Sequence, residues 1–328
     1  MKAVVDDKIP YIGGEIEKLV DEVVYLPGSA IGPDDVRDAD ILIVRTRTKC
    51  NKALLDGSLV RLVVTATIGF DHIDTDYLRG AGIDWTNCPG CNASSVCQYV
   101  HNSLLAMDCL RPGLTVGVVG VGHVGTLVAQ DLESLGMNVL RCDPPKGEKS
   151  TMEEIARHAD IITFHTPLTH DGECPTWHMA GRGFFSSLRR RPVVINSSRG
   201  GVVDELELLR AMETGLVRAA VIDTWENEPE INPELLDKAT IATPHIAGYS
   251  ADGKANATRM SLEAVSRFLN KSLAIDVLPP RLPEGFAYGP VAQGPLRLYD
   301  PRVDSANLKH DPKRFEWLRG NYPLRREK

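Results

Sequence analysis

The chain has 328 residues, 43% apolar and 25% charged, with a formal net charge of −7. That length predicts two domains with a core large enough to fold without disulfides, and the acidic balance argues against a general nucleic-acid binder. No run of 18 apolar residues occurs, which argues against a transmembrane helix. The apolar run Ala3-Val4-Val5 is too short for a signal peptide, so a cytoplasmic location is expected.

In chain order, Ala3–Val5 reads as a first strand and Glu15–Asp21 as helical. Ile41–Val44 and Leu62–Ala66 are compact apolar runs of the kind found in strands buried on both faces of a parallel sheet. Asn92-Ala93-Ser94 offers capping chemistry for a long helix to about Met107. Leu114–Val119 reads as a strand feeding a glycine-rich turn. Asn138–Cys142, Asp160–Phe164, Val193–Asn196 and Ala219–Asp223 read as further strands. Between them, Thr151–His158 carries the Thr…Glu pattern of a capping box, and Asp204–Thr214 ends at Gly215. A long amphipathic helix is expected over Asp252–Leu269. The repeated β-α units predict an α/β protein of two doubly wound, Rossmann-like parallel-sheet domains with a small C-terminal appendage. Residues 279–328 hold 8 of the 21 prolines, and from Arg297 onward nine Lys/Arg face five Asp/Glu, so this stretch is expected to stand apart, with a helix near Pro312–Leu318.

The seven cysteines are an odd number scattered through a large chain, which suits a reducing compartment. Cys88 and Cys91 form a C-x-x-C, yet a zinc site needs a second ligand pair, and Cys97 and His101 fall in an expected helix. Buried thiols are the expectation, and no metal is expected.

The most informative segment is Thr115–Gly125, a strand followed by G-x-G-x-x-G and a helical pattern. Gly120 permits the tight turn, Gly122 lets a pyrophosphate approach the backbone, and Gly125 lets the helix pack close. The phosphates would meet free N–H groups and the positive end of the helix dipole. Asp143 ends the next strand, 23 residues after Gly120, where a carboxylate accepts from a ribose and repels a 2′-phosphate. NAD is therefore expected over NADP, although Arg141 and Lys146 stand close by in sequence.

Three later segments each follow an expected strand: Asn196–Gly201 with Arg199, Asp223–Pro229 with Glu226 and Glu228, and Thr243–Gly248 with His245. Hydride transfer at a 2-hydroxy acid needs a cation for the carboxylate, a proton acceptor and a carboxylate to orient that acceptor. Arg199, His245 and Glu228 supply one of each. Glu226, two residues before Glu228, is expected to face solvent. Arg45, Arg47 and Lys49 could neutralise a substrate phosphate, and Arg189–Arg191 is expected to be a solvated face.

With these segments, residues 40–270 resemble the D-isomer-specific 2-hydroxyacid dehydrogenases. A narrower resemblance is carried by Val44–Lys49, Thr65–His72, Pro89-Gly-Cys-Asn-Ala93, Cys142–Pro145, Phe164–Leu168 and His245-Ile-Ala-Gly-Tyr249. It points to members that oxidise a phosphorylated hydroxy acid in vitamin B6 synthesis. The resemblance implies that Arg199 binds the substrate carboxylate, that His245 is the proton donor and acceptor, and that Glu228 supports it. It implies backbone contacts to the pyrophosphate from His123 and Val124, an NAD site lined by Thr166, Ser197, Ser198, Asp223 and Gly248, and substrate contacts from Thr46, Thr67 and Tyr249. It further implies a discontinuous substrate domain of residues 1–93 and 247–278, an NAD domain of 94–246, and a shortened dimerisation-like segment of 279–328 in a homodimer. The rival readings are a phosphoglycerate- or glyoxylate-class dehydrogenase and an NAD-sensing corepressor-like protein.

Overall fold

The computed structural model describes residues 1–272 and 274–327; Leu273 and Lys328, within the ranges expected above, lie outside the described residues. The chain divides into two compact units, residues 1–92 with 250–281, and residues 93–249 with 282–328.

The first unit is a parallel sheet of β1 (Lys2–Asp6), β2 (Glu22–Leu26), β3 (Ile41–Val44), β4 (Leu62–Thr65) and β5 (Asp84–Thr86) in the order β2-β1-β3-β4-β5. Both faces are covered, so Ile41, Leu42, Ile43 and Val44 are all fully buried and the strand reads as a continuous apolar run. The helix Ala251–Phe268 packs Ala255, Leu262 and Val265 against Ala3, Val5 and Val64. Ser250 caps it by accepting from the Gly253 N–H at 2.8 Å. The expected helix at Glu15–Asp21 is only a 3₁₀ turn, Ile16–Lys18. Cys88 is a buried structural thiol, donating towards the carbonyls of Thr65 and Ala257 beside Ser261. None of the seven cysteines is in a disulfide.

The second unit is a six-stranded parallel sheet: β6 (Thr115–Val119), β7 (Asn138–Cys142), β8 (Ile161–Phe164), β9 (Val193–Asn196), β10 (Ala219–Ile222) and β11 (Ile241–Ala242). Its order is β11-β10-β9-β8-β6-β7. The chain leaves β6 to one side for β7 and returns on the other side for β8, so a switch point lies at the end of β6. The expected capping box is present: Thr151 accepts from the Glu154 N–H, and Glu154 accepts from the Thr151 N–H.

Residues 279–328 were expected to stand apart, and from Leu282 onward they belong to the second unit instead. The apolar side chains that anchor them are spread too thinly to give a periodic signal: Tyr299, Leu308 and Phe315 are all buried in that unit's core. The helix Pro301–His310 covers the short edge strand β11, with the Ala242 N–H donating to Ser305 Oγ at 2.9 Å. Arg325 is fully buried, stacks 3.6 Å from the centre of the Tyr299 ring and donates to the carbonyls of Ser95, Ile246 and Ala247. Among the described residues, no helix is long and apolar enough to cross a membrane.

Candidate active site

The glycine turn at the end of β6 has the geometry its sequence predicts. Gly120 sits at φ +87°, and a Cβ there would meet the His165 carbonyl 2.7 Å away. A Cβ on Gly125 would run into the Gly120 carbonyl oxygen, so this close approach of helix to turn requires glycine. At Gly122 the nearest atom to a Cβ would be the Lys146 ammonium at 3.8 Å, which leaves the backbone open to an approaching group. The helix His123–Ser134 begins here, and Thr126 is the residue whose N–H bonds back to Gly122 at 3.0 Å. The amides of His123, Val124 and Gly125 lie in the first turn, where an α-helix has no internal acceptors for them.

Asp143 closes β7 beside this turn and accepts from the Val121 N–H at 2.7 Å. That bond fixes the carboxylate against the cradle. Lys146 donates to the Val121 carbonyl at 2.8 Å and is 4.0 Å from Asp143. Arg141 is committed elsewhere, in a two-point pair with Glu133. Asp143 is the residue that the sequence leads one to expect at the ribose. Replacing Asp143 by serine is expected to weaken NADH binding about tenfold while NADPH binding improves, as measured by paired fluorescence titrations. Unchanged discrimination between the two would overturn this role for Asp143.

Just past the ends of β8, β9 and β10, three polar atoms are buried without a hydrogen-bond partner: His165 Nδ1, Ser197 Oγ and Thr224 Oγ1. Burial pulls the His165 imidazole down to about 3, so it stays neutral, with Nε2 3.0 Å from Thr163 Oγ1. Unmet buried polar atoms beside an open glycine cradle fit a nucleotide-sized polar ligand. Thr166 lies half-buried with its hydroxyl towards the Met179 sulfur, and Gly248 lies half-buried next to Tyr249.

The three catalytic candidates follow three adjacent strands. After β9, Asn196 folds its side chain over the loop, accepting from Ser198 and donating to the Arg199 carbonyl at 2.9 Å. Arg199 itself donates to the Ser198 carbonyl. A Cβ on Gly200 would collide with the backbone of Trp225, so the loops after β9 and β10 touch through bare backbone. After β10, Asp223 is buried with both oxygens occupied, by Thr243 Oγ1 at 2.6 Å and by the N–H groups of Ile246 and Ala247. Its visible role is to clamp the loop after β11. Burial pushes the Asp223 carboxyl above its ordinary value, against the opposing pull of His245 and these donors.

That clamp holds His245 at φ +56°, a left-handed conformation uncommon for a side-chain-bearing residue. Its Nδ1 faces both oxygens of Glu228, at 2.8 and 3.1 Å, so Nε2 is the ring nitrogen turned away from that carboxylate. Glu228 also accepts from the Trp225 N–H at 3.0 Å. Burial would raise the Glu228 carboxyl, but His245, the Trp225 N–H and Arg319 outweigh it and hold the group below the usual range. Arg199, Glu228 and His245 line one cavity of about 310 Å³, walled by Trp177 and Leu168.

Glu226 does not face solvent as expected. It lies 3.0 Å from His178 Nε2 and pairs its backbone with Glu205, and that nonlocal partner gave no sequence signal. Arg319, from the C-terminal segment, was also missed; it lies 3.9 Å from Glu228. Tyr249 is half-buried, edge-on to Tyr322 at 5.7 Å. In the first unit, Thr46 is exposed just after β3, and Thr67 is tied to its own loop through Thr65 and the Gly69 carbonyl. Arg45 donates to the Lys8 carbonyl, and burial together with Arg45 pulls the Lys254 ammonium down.

Residues 106–247 match the D-isomer specific 2-hydroxyacid dehydrogenase family's NAD binding domain, so the cofactor is NAD. Over its full length the chain is 52% identical to an erythronate-4-phosphate dehydrogenase of Bacteroides thetaiotaomicron, of which it spans 97%. It is 42% identical to the Porphyromonas gingivalis enzyme of the same name, spanning 94% of it. The fold resembles D-lactate dehydrogenase of Aquifex aeolicus complexed with NAD and lactic acid, with a TM-score of 0.66 and 24% identity over 82% of this chain and 96% of that one. It also resembles 3-phosphoglycerate dehydrogenase of Entamoeba histolytica, with a TM-score of 0.68 and 23% identity over 82% and 94%. The chain therefore belongs to the D-isomer specific 2-hydroxyacid dehydrogenase family and, within it, to the erythronate-4-phosphate dehydrogenases.

Proposed function

We propose that the chain oxidises 4-phospho-D-erythronate to 2-oxo-3-hydroxy-4-phosphobutanoate, a step of pyridoxal phosphate synthesis. The observation that carries this reading is the Arg199–Glu228–His245 set around one cavity, in a chain 52% identical to a relative named for that substrate. Arg199 anchors the substrate carboxylate through a planar fork and so fixes C2. His245 Nε2 takes the proton of the C2 hydroxyl, and Glu228 at Nδ1 stabilises the resulting imidazolium. NAD, when bound, supplies the hydride acceptor. The glycine cradle, Asp143, Ser197 and Ser198 position that cofactor, and Asp223 keeps the His245 loop in register. Thr46, Thr67 and Tyr249 complete the reading as substrate contacts. A cytoplasmic location and a homodimer complete the assignment.

The test is NADH formation, by absorbance, with 4-phosphoerythronate and 3-phosphoglycerate in parallel. A 2-oxo acid acceptor is included, because tightly held NADH could mask turnover. Oxidation of 4-phosphoerythronate at a kcat/KM at least a hundredfold above that of 3-phosphoglycerate is the expected outcome. Preference for 3-phosphoglycerate would retain the chemistry and refute the substrate. NADH binding with no turnover of either would refute the reading.

A further inference from the structure

The C-terminal segment reaches the catalytic pair. The helix Phe315–Gly320 is anchored by Phe315, buried in the core of the second unit, and it aims Arg319 at Glu228. The Arg319 guanidinium is 3.9 Å from the same Glu228 oxygen that lies 2.8 Å from His245 Nδ1. It also donates to Glu316 at 3.1 Å and has Tyr249 as a hydrogen-bonding neighbour. Its Nε is buried without a hydrogen-bond partner, a cost that a purely structural arginine has no reason to carry.

We propose that Arg319 is a positioning residue for proton transfer: it shares the Glu228 carboxylate with His245 and so limits how firmly that carboxylate holds a proton on the imidazole. The inference rests on the oxidoreductase reading above. A lone carboxylate at Nδ1 would favour the charged imidazole and leave less of the free base that oxidation requires. A guanidinium on the far side of the carboxylate offsets part of that attraction. The other charged groups around the pair are Arg199 across the cavity, Asp223 below the loop, Glu205 and Glu226 on one flank, and Glu316 on the helix of Arg319. Arg319 lies within ion-pair distance of the carboxylate itself, at 3.9 Å.

The experiment is the pH profile of kcat/KM for 4-phosphoerythronate oxidation in the wild type, Arg319→Gln, Arg319→Lys and Glu316→Gln. It is paired with an NMR titration of the His245 ring in the NADH-bound protein. Removing the cation is expected to move the acid limb and the ring titration to higher pH by roughly one unit. Arg319→Lys, which keeps a cation, should leave both close to their wild-type positions. Glu316→Gln, which frees Arg319 from its second acid, should move both the opposite way. A limb and a ring titration that stay in place in Arg319→Gln, with NADH binding intact, would overturn the proposal. If Arg319→Gln fails to bind NADH, the Glu316→Gln titration decides, and no downward shift would overturn it. Absence of 4-phosphoerythronate turnover in the wild type would count against the functional reading alone, because the ring titration needs no turnover.

Discussion

Replacing His245 by alanine is expected to lower kcat/KM for hydroxy-acid oxidation by about 10³-fold while leaving NADH affinity within about threefold of wild type. The size of the effect follows from how the imidazole is held. Two oxygens of Glu228 face Nδ1, the backbone N–H of His245 is bonded to the carbonyls of Asp223 and Thr243, and the neighbouring amides are clamped by the Asp223 carboxylate. No other histidine lines the cavity among the described residues, and Glu226 is already engaged with His178. Glu228→Gln should cost less, about 10–100-fold, because an amide still orients the ring but no longer stabilises its charge. Steady-state kinetics with a parallel fluorescence titration of NADH separates the two roles. A His245→Ala variant retaining a tenth of wild-type kcat/KM would sink the assignment.

The second large effect is expected at Gly125. A Cβ there meets the Gly120 carbonyl oxygen, which is backbone and cannot rotate away. Gly125→Ala should therefore push the helix His123–Ser134 off the turn. The cost to stability is about 1–3 kcal/mol. NADH binding should weaken at least a hundredfold, about 3 kcal/mol, since the amides that would meet the phosphates move with the helix. Gly183 is the matching control: a Cβ there meets nothing within 4 Å, and it lies inside the helix Arg182–Ser187, so Gly183→Ala should leave the melting temperature equal or higher. Calorimetry and NADH titration on both variants check this. Equal behaviour of the two would show that the close approach at Gly125 is not required.

Strands buried on both faces were legible from the sequence, because burial on both sides writes an unbroken apolar run; Ile41–Val44 and Val193–Asn196 are such strands. Of the edge strands, β7 was legible as well, but β2, β5 and β11 were not. β2 has no fully buried residue and no regular alternation, β5 is Asp-Trp-Thr, and β11 has only two residues. Arg199, Glu228 and His245 were visible because each follows a buried strand within a few residues. Arg319 was not, since it meets Glu228 only through tertiary folding of a segment with no periodicity of its own. The partnership of Glu226 with His178 was hidden for the same reason.

The interrupted first unit has a consequence during synthesis. Residues 1–92 form its sheet, but the helix that covers one face of β1 and β4 lies in residues 250–281. At a translation rate of about 5–20 residues per second, the intervening stretch of roughly 160 residues takes about 8–30 s to emerge. For that interval Ala3, Val5 and Val64 have no helix to bury them, while the second unit's strands are already leaving the ribosome. The nascent chain thus carries an open apolar sheet face for seconds, the stage of its elongation at which it is most exposed to aggregation.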